Sequence, residues 1–221
     1  MGLPIGPHRR YDPLSDQWVL VSAGRTKRPW LGRKERRAAA DERPPFDPGC
    51  YLCPGNTRAS GAQNPAYDST FVFTNDFAAL RPDAGDDRLD DGLLRAEAQP
   101  GTCRVLCFSP RHDLTLTRMQ PGGVREVIDM WAEQTTQLGE DWRWVQIFEN
   151  RGEAMGASNP HPHGQIWAGA ALPERGARED AAQRRYFEAN GRPLLRDVAA
   201  QESGGERVVE EDDEWLGLVP F

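Results

Sequence analysis

Nine residues, Asn159-Pro160-His161-Pro162-His163-Gly164-Gln165-Ile166-Trp167, restrict the fold more than any other stretch of the chain. They are too short and too rich in proline and glycine for an α-helix, so the segment must run extended. In an extended chain successive side chains alternate, which places His161, His163 and Gln165 on one face. Pro162 falls on the opposite face and lacks an N–H, which suits an edge strand or a strand beginning. Gly164 reads as room for a ligand or another chain to approach the backbone. Such a row can bind a metal, attack an electrophile or hold a phosphate, and it contains two of the chain's four histidines.

The rest of the chain can build a core around that row. Of 221 residues, 38% are hydrophobic and seven are Trp and eight Phe, enough for one large globular domain over residues 1–221. The formal charge of −7 argues against a general nucleic-acid binder. Charge is unevenly spread, however: residues 1–43 carry ten Lys/Arg against five Asp/Glu, leaving scope for a local anion site. No signal peptide and no membrane-length apolar run are visible, so a cytoplasmic location is expected. In that reducing compartment the four cysteines are thiols or metal ligands rather than disulfides.

Periodicity supplies the elements. Val124, Val127, Ile128, Trp131, Thr135 and Leu138 recur at helical spacing and predict an amphipathic helix over 123–139. A second helix with a charged face is expected over 177–190. Gln17–Val21, Thr70–Thr74, Cys103–Phe108, Trp144–Phe148 and Trp215–Val219 read as strands, with the histidine row continuing through Ala168. Asp12–Ser15 reads as a turn, Gly24–Trp30 as a basic loop, 32–49 as a charged connector and 82–92 as an acidic loop. The architecture expected is α+β: a mostly antiparallel sheet with the 123–139 helix packed on one face.

Two chemistries suggest themselves. Cys50 and Cys53 have the C-x-x-C spacing by which two thiolates reach one ion across a tight turn. A redox pair would want a helix directly afterwards, and Pro54-Gly55-Asn56 makes a turn instead. His112 and His161 could complete a Cys2His2 set, although His112 reads equally as a surface loop histidine. Cys103 and Cys107, four apart in a strand, read as core packing. If metal occupies His161, then His163 is free to react, and an imidazole with an ordinary pKa near 6.5 is a good phosphorus nucleophile at neutral pH. An Nδ1–H donated to a carbonyl would aim the Nε2 lone pair at substrate. Gln165, Ser158 and the backbone near Gly156 are suited to holding phosphoryl oxygens. A structural role for His163 is the competing reading.

The row His161-Pro162-His163-Gly164-Gln165 resembles the histidine-triad signature in the form carried by galactose-1-phosphate uridylyltransferases. The resemblance extends to Arg9-Arg10-Tyr11, Lys27-Arg28-Pro29-Trp30, Cys50-x-x-Cys53, Phe73-Thr74-Asn75-Asp76-Phe77-Ala78-Ala79-Leu80, Cys107-Phe108-Ser109-Pro110, Phe148-Glu149-Asn150 and Met155-Gly156-x-Ser158-Asn159-Pro160, in family order. It implies a histidine-triad-like fold and a ping-pong exchange of UMP between UDP-glucose and galactose 1-phosphate. His163 aligns with the nucleophile that becomes uridylylated, with Gln165 beside it. Cys50, Cys53, His112 and His161 align with zinc ligands. Arg25, Arg28, Asn75, Asp76, Asn150, Gly156, Ser158 and Gln165 align with contacts to uridine diphosphate. Glu179 aligns with one ligand of an iron-type site present in some members; alone it cannot hold a metal, so no iron is expected.

Family chains continue into a second half built like the first, which holds the sugar contacts and is not in this sequence. A homodimer is expected of the full-length family. Two further functions compete with uridylyl transfer. One is a histidine-triad hydrolase or phosphorylase using the same nucleophile. The other is a non-catalytic zinc- and nucleotide-binding chain.

Overall fold

The structure, a computed structural model, describes residues 6–29, 43–152 and 155–221. Trp30 of the basic loop, residues 32–42 of the expected connector and Ala154 lie outside the described residues. The described residues form strands β1 (His8–Asp12), β2 (Gln17–Val21), β3 (Phe71–Thr74), β4 (Arg88–Asp91), β5 (Leu94–Glu97), β6 (Gly101–Cys107), β7 (Trp144–Phe148), β8 (His163–Gly169), β9 (Val208–Glu211) and β10 (Leu216–Leu218). The α-helices are α1 (Pro121–Gly139), α2 (Glu174–Asn190) and α3 (Leu194–Glu202). The chain divides into two compact units, Met1–Lys34 with Pro173–Phe221, and Glu35–Leu172.

The unit Glu35–Leu172 is built on an antiparallel sheet of order β3-β6-β8-β7. The alternation expected of an extended row is fully expressed in β8. Gly164, Ile166 and Ala168 turn to a buried face, where Leu106, Phe108, Ile166 and Ala168 pack on Val127, Met130 and Leu138 of α1. On the other face, His163, Gln165 and Trp167 stand opposite Cys107, Val105 and Cys103 of β6. That face is covered by Cys50, Leu52 and Cys53, which cluster with Val105, Cys107, Tyr67, Phe71 and Phe73. Each face of the sheet therefore carries its own core, and the mostly antiparallel α+β expectation holds.

The differences are informative. The α1 helix starts at Pro121, where a proline without an N–H loses nothing because the first-turn donors are unpaired anyway. Its buried stripe is Val127, Met130, Gln134 and Leu138, whereas Ile128 is exposed. Gln134 enters the interface because its Oε1 accepts a hydrogen bond from Arg104 of the sheet at 2.5 Å. Gly164 does not serve ligand approach: a Cβ there would lie 3.0 Å from the Phe108 ring and 3.2 Å from the Phe148 carbonyl. Pro162 precedes a central strand, not an edge one, and remains compatible because it stands before the first ladder residue. Part of the acidic 82–92 segment is the strand β4, paired with β5 across a turn containing Gly92 at φ 59°. Its charge hid the pairing because neither strand buries a face.

In the other unit, β1 and β2 form an antiparallel hairpin, and its turn is held by Asp12, whose carboxylate accepts from Leu14 N–H and Ser15 O–H. The basic loop contains a 3-10 helix, Ala23–Lys27. The α2 helix ends at Gly191 with φ 67°, the left-handed closure glycine adopts without penalty. The α3 helix and the β9–β10 pairing carried no sequence expectation of their own beyond a strand near Trp215. Among the described residues no helix is long and apolar enough to cross a membrane.

Candidate metal centre and nucleophile

The Cys50–Cys53 turn is shaped by its own backbone before any metal is considered. Cys53 N–H donates to Cys50 O at 3.2 Å, and Leu52 N–H points at Cys50 Sγ at 3.4 Å. Two asparagines then lock it. Asn56 Nδ2 donates to the carbonyls of Asp47 and Cys50, and the buried Asn64 Nδ2 donates to those of Tyr51 and Cys53. Both thiols consequently face the same point.

Two histidines arrive there from other segments. His112 lies past the Ser109-Pro110 turn after β6, with its backbone N–H on Pro45 O at 2.8 Å. His161 is held by Asn159, whose Oδ1 accepts the His161 N–H at 2.8 Å. Nδ1 of His112 and Nδ1 of His161 lie 3.6 and 3.5 Å from Cys53 Sγ. Ligand atoms of Cys50, Cys53, His112 and His161 all fall within 4.8 Å of one another, and all four residues are buried. The reading of His112 as a surface histidine is thus overturned.

Nε2 of His161 donates to Ser109 O at 3.0 Å, with the Tyr67 hydroxyl 3.4 Å away, so Nδ1 is the nitrogen left with a lone pair toward the thiols. Burial drives His161 down to about 4 and His112 below its ordinary value, keeping both rings neutral. Burial likewise pushes the Cys53 thiol up to about 11. Two neutral imidazoles and two thiols in a dry pocket form a donor set that can hold a metal ion.

His163 stands two residues on, at the start of β8. Its Nδ1–H donates to the backbone carbonyl of His161 at 2.7 Å, which leaves Nε2 as the free lone pair. The metal-site residue and the candidate nucleophile are therefore joined by one short hydrogen bond as well as by two peptide units. Gln165 follows on the same face, between Val105 and Phe148. Asn150 lies beyond the Phe148–Gln165 pair, toward the His163 end of β8. Gly156 has φ 80°, a left-handed turn that brings the chain into the row, and Ser158 Oγ is 3.1 Å from Tyr51 Oη. Asn75 and Asp76 follow β3, with Asn75 N–H on Cys103 O at 2.9 Å.

These residues all belong to the unit Glu35–Leu172, whereas Arg25, Arg28 and Glu179 belong to the other unit. There Arg25 lies in the 3-10 helix, Arg28 follows it, and Glu179 pairs with Arg175 at 2.8 Å. Asn56, Asn64, Tyr67 and Asn159 escaped sequence reasoning. Asn56, Asn64 and Tyr67 act on carbonyls or a ring nitrogen brought near by folding, Asn159 on the N–H two residues on, and an asparagine beside glycine or proline reads only as a turn former.

A family model described as galactose-1-phosphate uridyl transferase, N-terminal domain, matches residues 4–173. Galactose-1-phosphate uridylyltransferase of Haemophilus influenzae is 49% identical over 217 residues, covering 97% of this chain and 62% of the relative. The protein of the same name from Rattus norvegicus is 50% identical over 216 residues, covering 97% and 57%. The chain thus spans about 60% of the length of these curated relatives. Among solved structures, an ADP-glucose phosphorylase from Arabidopsis thaliana with bound ADP-glucose superposes with a TM-score of 0.68 at 22% identity, covering 96% of this chain and 63% of that one. A uridylyltransferase structure superposes with a TM-score of 0.66, also at 22% identity, covering 96% and 61%. With the family model matching residues 4–173 and relatives of that name about 50% identical along 97% of it, the chain belongs to the galactose-1-phosphate uridyl transferase family, of which it spans the N-terminal domain.

Proposed function

We propose that this chain carries the nucleotidyl-transfer centre of a UDP-glucose–hexose-1-phosphate uridylyltransferase, with His163 as nucleophile. The observation that carries the proposal is the Nδ1–H bond from His163 to the His161 carbonyl. The Nε2 lone pair attacks the uridylyl phosphorus of UDP-glucose, an N–P bond forms, and the P–O bond to glucose 1-phosphate breaks. As positive charge develops on the ring, the Nδ1–H donates more strongly to its carbonyl. An oxygen of galactose 1-phosphate then attacks the same phosphorus, the N–P bond breaks, and UDP-galactose departs. The leaving groups are weakly basic phosphates, so alignment and charge neutralisation matter more than proton transfer. Gln165 and Ser158 supply donors to the phosphoryl oxygens, while Asn75, Asp76, Asn150 and Gly156 receive the nucleotide. The family resemblance assigns Arg25 and Arg28 to the diphosphate.

The metal proposed for Cys50, Cys53, His112 and His161 is zinc. Thiolate sulfur at about 2.3 Å and imidazole nitrogen at about 2.0–2.1 Å, set at the tetrahedral angle, lie roughly 3.5 Å apart. The Cys53 Sγ to Nδ1 separations of 3.6 and 3.5 Å match that edge. Cys50, Cys53, His112 and His161 would hold the ion, which would brace the loop and, through His161, steady the carbonyl that orients His163. A reducing cytoplasm would keep the thiols available, and the full-length assembly is expected to be a homodimer.

Incubation with UDP-glucose labelled in the uridylyl part should leave acid-labile label on His163, lost in His163→Gly with metal content unchanged. Adding galactose 1-phosphate, inorganic phosphate or buffer to the labelled protein then identifies the acceptor. Release by phosphate alone would establish a phosphorylase, release in buffer alone a hydrolase, and no label at all would remove the nucleophile.

A further inference from the structure

One ion pair, assigned to neither site above, links the Cys50–Cys53 turn to the strand end that carries Asp76. Arg58 lies in a short antiparallel excursion closed directly onto that turn. Gly55 N–H donates to Pro65 O at 3.0 Å, Asn64 N–H to Asn56 O at 2.9 Å and Arg58 N–H to Ala62 O at 2.7 Å. The same Asn56 and Asn64 hold the Cys50 and Cys53 carbonyls, so the backbone of Arg58 is referenced to the metal-site thiols.

From there the side chain crosses to β3. Its guanidinium lies 4.3 Å from the centre of the Phe73 ring, and Nε stands 3.3 Å from Asp76 Oδ2. Only 16% of the arginine side chain and 13% of the aspartate side chain are exposed, so solvent screens this pair far less than a surface one. Nε is buried without an aligned hydrogen bond, and it therefore holds the carboxylate as a neighbouring charge. The pair engages Oδ2, and a carboxylate retains accepting capacity on its other oxygen.

We propose that Arg58 is a positioning residue, a strut by which the metal-braced turn holds the Asp76 carboxylate ready for the hydroxyls of a nucleoside diphosphate. The proposal rests on the assignment of Asp76 to the nucleotide made above. Two physical effects combine. The flat guanidinium, stacked on Phe73, fixes the direction from which Asp76 is approached. Its charge also neutralises the carboxylate, which would otherwise repel an anionic diphosphate. Affinity for nucleotide is thereby coupled to an element that never touches it.

The test is a double-mutant cycle read by calorimetric titration of UDP into the zinc-loaded chain, with metal content measured for every variant. Arg58→Met keeps an apolar stem on Phe73 and removes the charge. Asp76→Asn should weaken UDP about tenfold, or about 1.4 kcal/mol. Arg58→Met should do nearly the same, and the double variant should be no weaker than Asp76→Asn alone. Metal content should be equal in all four proteins. Arg58→Lys, which restores charge without the plane, should recover part of the lost affinity. In turnover, Arg58→Met should raise KM for UDP-glucose and leave kcat in place.

Additive losses would mean that Arg58 contacts the ligand itself, and would overturn the proposal. So would wild-type affinity in Arg58→Met, a loss of metal in parallel with affinity, or an Arg58→Lys variant as weak as Arg58→Met. An Asp76→Asn variant that binds UDP normally would instead remove Asp76 from the nucleotide site, and the strut with it.

Discussion

Replacing Gly164 by alanine asks whether the residue after His163 is small for packing or for ligand access. A Cβ at that position would lie 3.0 and 3.1 Å from Cζ and Cε1 of Phe108 and 3.2 Å from the carbonyl oxygen of Phe148. Comfortable carbon contacts lie at about 3.5–4.0 Å, so the ring must retreat by roughly half an ångström. It has little space for that: Phe108 is 2% exposed and meets Trp131 edge-on at 6.1 Å between centroids. The carbonyl is no more yielding, because Phe148 pairs with Gln165 in the ladder. Overpacking of this kind costs about 1–3 kcal/mol. Stiffening the unfolded chain returns about 0.4–1 kcal/mol.

The net loss is about 1–2 kcal/mol, or a fall of roughly 2–8 °C in Tm for a protein of this size. Urea unfolding followed by tryptophan fluorescence measures it. Two other glycines calibrate the scale. Gly101→Ala drives its Cβ into the Ala168 carbonyl across the β6–β8 pair and should be worse. Gly122→Ala in α1 meets nothing within 4 Å and should be neutral or stabilising by up to about 1 kcal/mol. A Gly164→Ala protein of unchanged stability but weakened UDP binding would refute the packing argument and restore the ligand-access reading.

Three further outcomes are expected. Cys53→Ser should lower bound metal well below one equivalent and reduce Tm, as elemental analysis and calorimetry would show; full stoichiometry would contradict the ligand set. Metal uptake should weaken as pH falls from 8 to 6, because the buried Cys53 thiol, pushed up to about 11, must lose its proton to ligate. His161, driven down to about 4, is already neutral throughout that window and adds no pH dependence, so competition titrations showing pH-independent affinity would count against a thiolate ligand. Asn64→Ala strips a buried donor from the Tyr51 and Cys53 carbonyls, should cost about 1–3 kcal/mol in chemical unfolding, and should speed metal loss to a chelator. Metal release at the wild-type rate would show that Asn64 does not hold the turn.

The residues themselves determined a good deal. Proline and glycine at 160, 162 and 164 kept the row out of a helix, but the chain bends at Pro160 and His161 and runs as strand only from His163, where period-two alternation puts His163 and Gln165 on one face. Helical spacing located α1, and the C-x-x-C turn announced two thiols facing one point. What remained hidden was everything set by partners distant in sequence. His112 could not be told from a surface histidine until folding put it 3.6 Å from Cys53, and Gly164 could not be read until Phe108 stood against it. The stripe that α1 buries shifted because Arg104 on the sheet offers Gln134 a hydrogen bond, which no helical period encodes. Local backbone preference and side-chain alternation act within a few residues, so the sequence displays them directly. Ligand convergence, close packing and charge pairing arise between segments 30 to more than 100 residues apart, and only the tertiary structure brings them together.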